Sequence, residues 1–268
     1  MTTTEAPAYR VTGPSAVSGD PRRLWHLSLV LALTDWKLRF FGSVLGYVWS
    51  LLRPLLLFGI LYVVFSEFVG VNAGIANYPL LLLSGIVLFF TFGEMSGGAV
   101  MSLVEREALV RKVSFPRMAV PLSVAIFVAA SGISPRWTWL LLPVPLVLLV
   151  AFGTGLAMLL SALYVPFRDF RPIWDVIQQA LFYATPILYP VEKVAERSAT
   201  LAKVVMSNPL AVIIQEFRHL LLGPSVPNAS EAIGGAVWLL IPGGVFVGLT
   251  VLGFVVFNRM APRAAEEL

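Results

Sequence analysis

The stretch from Trp137 to Phe167 contains no charged side chain, and this feature limits the possible folds of the chain more than any other. A helix needs about 20 apolar residues to cross the hydrocarbon core of a bilayer, so the stretch predicts a membrane-spanning helix. Residues 233 to 257 are also free of charge, and residues 78 to 101 carry only Glu94. Of all residues 13% are charged, against about 25% in soluble domains. The sequence therefore predicts an all-α polytopic membrane protein.

Three shorter or interrupted segments are weaker candidates for further spans. Residues 43 to 68 predict the first span, with a kink where Arg53 precedes Pro54, because proline removes a backbone donor. Residues 172 to 190 predict the fifth span, whose polar side chains would face protein or water rather than lipid. Residues 118 to 133 reach only about 24 Å at the helical rise, which makes the third span unusually short. Together these segments predict six membrane-spanning helices.

The positions of lysine and arginine predict the orientation, because cytoplasmic loops are enriched in both. Fourteen of the 19 lie before residue 54, between residues 102 and 117, between residues 168 and 171, or after residue 258. We therefore expect a multi-pass protein of the cytoplasmic (inner or plasma) membrane. Both of its termini are expected on the cytoplasmic side. We expect a flexible polar N-terminus, an interfacial amphipathic helix, a transmembrane domain and a cytoplasmic tail, at residues 1–20, 21–42, 43–258 and 259–268.

The sequence contains no motif for catalysis or for binding a cofactor. Its two histidines, His26 and His219, lie too far apart to suggest a metal site, and cysteine is absent. No Gly-Lys dipeptide occurs anywhere, so the chain has no P-loop to cradle nucleotide phosphates. We expect no metal, cofactor or nucleic acid to bind this chain, and any ATP and Mg²⁺ to bind a partner subunit. The chain itself is not expected to be an enzyme.

Six sequence motifs occur in an order that resembles one transporter family. They are LRFFGSVLGYVWSLLRPLL (38–56), YPLLLLSGIVLFFTFGE (78–94), SLVEREALVRKVSFPRMAVPLS (102–123), LLSALYVPFRDF (159–170), FYATPILYP (182–190) and NPLAVIIQEFRHLL (208–221). In this order they resemble the permease subunits of ABC-2 type exporters of polysaccharides such as O-antigen, teichoic acid or cell-wall galactan. Among these branches, the chain looks most similar to actinobacterial permeases for lipid-linked galactan. One departure is the segment after the PLS motif, which is shorter than in family members.

The resemblance implies that the loop between spans two and three forms a cytoplasmic helix that contacts the ATPase subunit. Exposed charges at such a surface would control association. The expected docking residues are Glu105, Arg106, Glu107, Leu109, Arg111, Lys112, Phe115 and Arg117. The alternative is that the basic residues only contact lipid headgroups, which leaves the acidic residues and Phe115 unexplained.

The resemblance also implies a substrate with a pyrophosphate near the inner leaflet and a sugar chain that crosses the membrane. Basic residues suit such an anion, and contact with lipid phosphate is an equal alternative for the candidates Lys37, Arg39 and Arg53. Sugars stack on aromatic rings and need hydrogen bonds, so mixed aromatic and polar stripes predict a glycan channel, with helix packing as the alternative. The channel candidates are Phe58, Tyr62, Phe65, Glu94, Trp174, Gln178, Phe182, Thr185 and Tyr189. Short re-entrant helices between spans five and six would line the outer gate.

These expectations combine into one hypothesis about function. The chain would be the permease subunit of an ATP-driven exporter of a polyprenyl-pyrophosphate-linked polysaccharide. It would act as a homodimer with two copies of an ABC ATP-binding subunit, in contact with membrane lipid. The alternatives are an ABC-2 exporter of a drug or small lipid and, with less support, a membrane glycosyltransferase.

Overall fold

The computed structural model describes residues 44–70, 75, 77–100 and 136–267, and every regular element within these ranges is helical. The expected interfacial helix, docking loop and third span lie outside the described residues. A π-helical turn, Val64–Phe68, follows α1, and 3-10 turns, Trp137–Leu141 and Ala236–Leu239, precede α3 and α9. The helices are α1 (Val44–Val63), α2 (Tyr78–Ala99), α3 (Pro143–Tyr164), α4 (Phe170–Ala184), α5 (Val191–Arg197), α6 (Ala199–Met206), α7 (Pro209–Leu222), α8 (Ala229–Ile233) and α9 (Leu240–Glu267).

Three helices in the described part of the chain are long and apolar enough to cross a membrane. Their membrane segments are Tyr78–Gly98, Trp137–Tyr164 and Ala236–Met260, which coincide with the three stretches that are poorest in charge. In α2, 78% of this segment is buried inside the chain, against 11% in α9. The central helix of the bundle is therefore α2, and α9 lies at the periphery.

Aromatic rings connect four helices through the centre of the bundle. Phe92 of α2 stacks on Phe152 of α3 with ring centroids 5.7 Å apart, and Phe152 stacks on Phe246 of α9 at 5.4 Å. On α2, Phe89 also meets the edge of Phe182 on α4 at 5.2 Å. Such pairs contribute about 0.5–1.5 kcal/mol each beyond the burial of their surface. The rings thereby set α4, α2, α3 and α9 next to one another.

Glycine allows α3 and α9 to approach each other closely. A Cβ atom on Gly253 would overlap the carbonyl oxygen of Gly155, and one on Gly155 would lie 2.7 Å from the Cα of Thr250. Small residues at such contacts are typical of helices that pack inside membranes. A side chain at either glycine would therefore push the two helices apart.

One helix end differs from that expected from the sequence. Helix α1 continues through Pro54, as the expected first span does, and α9 continues through most of the expected cytoplasmic tail to Glu267. Helix α4 ends at Ala184 instead of residue 190, and its 15 residues reach about 22 Å. It ends there because a residue before proline is disfavoured in the helical region. Thr185, which precedes Pro186, is extended with φ −86° and ψ 140°.

Candidate functional site

The chain leaves the helical conformation at residues 185–188, here called the bend. All four of these residues are buried. Each unpaired N–H or C=O group in an apolar interior costs several kcal/mol, so the main chain of the bend needs hydrogen-bond partners. Two bonds are local: the N–H of Thr185 donates to the carbonyl oxygen of Leu181 at 2.9 Å, and the N–H of Ile187 donates to that of Thr185 at 2.7 Å. The other partners come from distant parts of the sequence.

Arg218 of α7 is the main partner of the bend. It donates from Nη1 to the carbonyl oxygen of Pro186 and from Nη2 to that of Ile187, the latter at 3.0 Å. It also donates from Nε and Nη2 to the carbonyl oxygen of Leu81 in α2, at 3.1 and 2.8 Å. The side chain of Arg218 has no exposed surface. Gly85 leaves room for it, because a Cβ atom there would lie 2.5 Å from Nη2.

Two further side chains bind the bend. Tyr78, the first residue of α2, donates from its hydroxyl group to the carbonyl oxygen of Leu188 at 2.9 Å. Asn208 donates from Nδ2 to Oγ1 of Thr185 at 3.0 Å, and its Oδ1 caps the N-terminus of α7. We call Tyr78, Asn208 and Arg218 the clamp. It fixes the end of α4 against α2 and α7.

Arg218 brings a positive charge into a buried position. Burial lowers the pKa of its guanidinium to about 9, while Glu192 and Tyr78 act in the opposite direction. The group therefore remains a cation at neutral pH. Its hydrogen-bond acceptors are main-chain carbonyl oxygens, and Oε2 of Glu192 is buried without a hydrogen-bond partner among the described residues. The clamp thus depends on the geometry of the bend rather than on a contacting carboxylate.

Helix α7 is buried along most of its length, and its other polar side chains also bind main-chain groups. Nε2 of Gln215 donates to the carbonyl oxygen of Pro227 at 2.9 Å. A carboxylate oxygen of Glu216 accepts from the N–H of Ala229 in α8 at 3.1 Å. These bonds attach α8 and the preceding loop to α7. One buried helix therefore organises the bend and the short helices around it.

The glycan-channel candidates of α4 lie on the face that packs against α2. The side chain of Trp174 is buried, and its Nε1 has no hydrogen-bond partner among the described residues. Gln178 lies against Gly93, where a Cβ atom would overlap its Nε2. Phe182 packs on Phe89. The opposite face of α4 is exposed and includes Asp175, Val176, Gln179 and Tyr183.

The last two candidates on this segment follow α4. Thr185 is part of the bend, and Tyr189 donates from its hydroxyl group to the carbonyl oxygen of Tyr183 at 3.2 Å.

The candidates on α1 and α2 lie apart from the clamp, with one exception. Tyr62 stacks between Phe58 and Tyr78, at 5.8 and 6.4 Å between ring centroids, and so contacts a clamp residue. Arg53 is exposed and lies over the ring of Phe90 at 5.8 Å. Phe65 packs against the core, and Glu94 is exposed on α2. Lys37, Arg39 and the docking residues lie outside the described residues.

Tyr78, Asn208 and Arg218 were not among the functional candidates expected from the sequence, although the sequence contains a signal for them. Three of the six ordered motifs contain the clamp and the bend: residues 78–94, 182–190 and 208–221. Arg218 also lies in the segment NPLAVIIQEFRHLL, in which most residues are apolar and a charge is costly without partners. The structure shows that these three motifs meet at one place.

The fold defines a helical membrane protein in which a short helix ends inside the bundle and is held there by a buried arginine. Residues 27–222 match the ABC-2 type transporter family, and the chain belongs to this family. The resemblance drawn from the six motifs is thereby confirmed.

Three relatives extend along most of the chain. The chain is 29% identical over 261 residues to the O-antigen export system permease protein RfbA of Klebsiella pneumoniae. The aligned region covers 91% of this chain and 96% of that protein. The protein of the same name from Myxococcus xanthus is 28% identical over 218 residues, 76% of this chain and 83% of that protein. The polysialic acid transport protein KpsM of Escherichia coli is 20% identical over 237 residues, 82% of this chain and 90% of that protein.

Proposed function

We propose that this chain is the transmembrane permease subunit of an ABC exporter that moves a polysaccharide across the cytoplasmic membrane. The observation that carries the proposal is the similarity to an O-antigen export permease along nearly the whole length of both proteins. A second relative named for polysialic acid transport supports the same substrate class. The substrate would be a polysaccharide linked to a polyprenyl pyrophosphate.

The proposed exporter contains two copies of this chain and two copies of an ABC ATP-binding subunit, which would bind ATP and Mg²⁺. The distribution of lysine and arginine supports cytoplasmic termini. In this orientation α4 runs outward from Arg168 and Arg171, and the bend and α5 to α8 lie toward the outer surface. The docking residues between 105 and 117 would then face the ATP-binding subunit.

The proposed glycan path runs along α4. Polar side chains are expensive in lipid, and within membrane segments they usually face a cavity or another protein surface. The exposed face of α4 carries Asp175 and Gln179, while Trp174 and Gln178 lie on the packed face. The glycan could pass along either face of α4. The packed face would become available only after α4 moves away from α2. Arg53, together with Lys37 and Arg39, would bind the pyrophosphate at the entrance.

Cysteine labelling can decide which face of α4 meets water. The chain has no cysteine, and a membrane-impermeant maleimide reacts with the thiolate, which forms poorly in hydrocarbon. Single cysteines at positions 174, 178 and 185 should become labelled in a way that depends on the ATP-binding subunit and nucleotide. The controls at Ile177 and Ala184 should stay unlabelled. Labelling of Gln179→Cys alone would move the path to the exposed face, and silence at every position would assign both faces to packing.

Reconstitution tests the function itself. Proteoliposomes that contain this chain and its ATP-binding subunit should move a lipid-linked polysaccharide across the bilayer when ATP is added. The chain alone should hydrolyse no ATP, because it has no P-loop. Transport of a small lipid or drug without transport of polysaccharide would favour the first alternative. Sugar transfer by the chain without its partner would favour the glycosyltransferase.

A further inference from the structure

We propose that Arg218 is a positioning residue for export, which holds the bend against α2 and so makes the end of α4 and the helices α5 to α8 move as one unit. The inference rests on the proposed function, because export is the activity that this positioning would serve. It concerns a residue that touches main-chain atoms of this chain and acts through them.

The guanidinium group of Arg218 connects two separate parts of the structure. Arginine presents its N–H donors in a flat, rigid fork, whereas lysine places its donors on a single nitrogen atom. Here the fork binds Leu81 of α2 through Nε and Nη2 and binds Pro186 and Ile187 through Nη1 and Nη2. One side chain of α7 therefore bridges the central helix and the bend. A lysine at position 218 would not reproduce this bridge.

Burying the positive charge of Arg218 costs free energy, and the surrounding structure is shaped to accommodate it. A charge that leaves water for a protein interior is costly unless hydrogen bonds replace its hydration, and Arg218 obtains these bonds from main-chain carbonyl oxygens. Two features accommodate this side chain: Gly85 leaves space for the guanidinium, and the bend turns two carbonyl oxygens toward it. The chain thus provides a costly and specific contact at the end of a helix with one exposed face.

Arg218 binds the bend at the junction between α4 and the short helices. Helix α4 ends at the bend, and α5 to α8 follow it. If ATP hydrolysis moves α4, the bend must transmit this movement to the short helices. Without the bridge, α4 could move while α5 to α8 stay behind. ATP hydrolysis would then continue while export fails.

Two variants weaken the bridge from opposite sides. Arg218→Lys keeps the charge and removes the fork. Gly85→Ala keeps Arg218 but places a methyl group against its Nη2 and, at 3.2–3.3 Å, against Ile187 of the bend. The matched controls are Arg197→Lys, an exposed arginine in α5, and Gly98→Ala, a glycine of α2 whose Cβ would meet no atom within 4 Å. Leu188→Cys reports on the bend, and Ala162→Cys, buried in α3, reports on the rest of the bundle.

We expect Leu188→Cys to react with maleimide about tenfold faster or more in both bridge variants, the effect of losing one buried hydrogen bond to a charged donor. The rate at Ala162→Cys should stay unchanged, and export per ATP should fall by a similar factor in Arg218→Lys. Both controls should behave as wild type in each measurement.

Two results would overturn the inference. If both cysteines become reactive together, Arg218 only holds the fold together. If neither cysteine changes and Arg218→Lys exports normally per ATP, the bridge is dispensable. A wild-type exporter that moves no polysaccharide would instead refute the proposed function, and the cysteine rates would still show whether Arg218 holds the bend.

Discussion

Replacing Tyr78 by phenylalanine should destabilise the protein through one missing hydrogen bond. The hydroxyl group of Tyr78 donates to the carbonyl oxygen of Leu188, and both residues are buried, with 1% and 4% of their surface exposed. Phenylalanine keeps the ring in its stack with Tyr62. The carbonyl oxygen remains buried without this donor, which costs about 1–3 kcal/mol.

The loss can be measured by unfolding the purified protein in mixed micelles with increasing SDS, followed by tryptophan fluorescence. Tyr62→Phe is the matched control, since its ring belongs to the same stack and its hydroxyl group makes no hydrogen bond within the described residues. We expect Tyr78→Phe to lower the free energy of unfolding by about 1–3 kcal/mol and Tyr62→Phe by less than about 0.5 kcal/mol.

Equal losses in the two variants would refute the argument, because the effect would then belong to the aromatic stack. A loss below about 0.5 kcal/mol for Tyr78→Phe would show that the carbonyl oxygen finds another donor, such as water.

Three further predictions test other contacts. Gly253→Ala should destabilise the protein by about 1–3 kcal/mol, because the methyl group overlaps the carbonyl oxygen of Gly155. Gly248→Ala, which meets no atom within 4 Å, should be neutral or slightly stabilising in the same unfolding assay. Gly93→Ala should destabilise the protein less than Gly253→Ala, because the methyl group meets the end of the flexible Gln178 side chain, and it should cost less still in a Gln178→Ala background; an equal cost in both backgrounds would mean that α2 and α4 meet differently. If residues 105 to 117 form the proposed docking surface, the double replacement of Arg111 and Lys112 by glutamate should uncouple ATP hydrolysis from export at unchanged yield, since charges at a docking surface control association more than folding; normal copurification and export would remove the docking role.

Some features follow from the sequence because only one solution is physically available. A run of about 20 apolar residues in lipid must be helical, since every main-chain N–H and C=O group needs an internal partner. The segments Tyr78–Gly98, Trp137–Tyr164 and Ala236–Met260 were predictable for this reason. The family was predictable too, because six motifs in one order are a pattern that does not depend on contacts.

The end of α4 was predictable only in part. Residues 172 to 190 read as one continuous span, although Pro186 within them disfavours a helical conformation at Thr185. In membrane helices, neighbouring groups can satisfy the carbonyl oxygens that a proline leaves free, so the sequence alone permits either a kink or an end. At Pro54 the helix continues, and at Pro186 it stops. At Pro186 the clamp supplies donors to the main chain that leaves the helix.

Only the tertiary structure shows what Arg218 does. Its acceptors are the carbonyl oxygens of Leu81, Pro186 and Ile187, which every amino acid carries. If Arg218 formed a salt bridge, its acidic partner could be sought in the sequence by residue type. A main-chain acceptor cannot be recognised in this way, because every residue has one. The spans come from the solvent that the side chains prefer. The clamp forms where three segments that are distant in the sequence meet. The physical reason is that a buried bend in the main chain needs hydrogen-bond donors, and only the tertiary structure decides which side chains supply them.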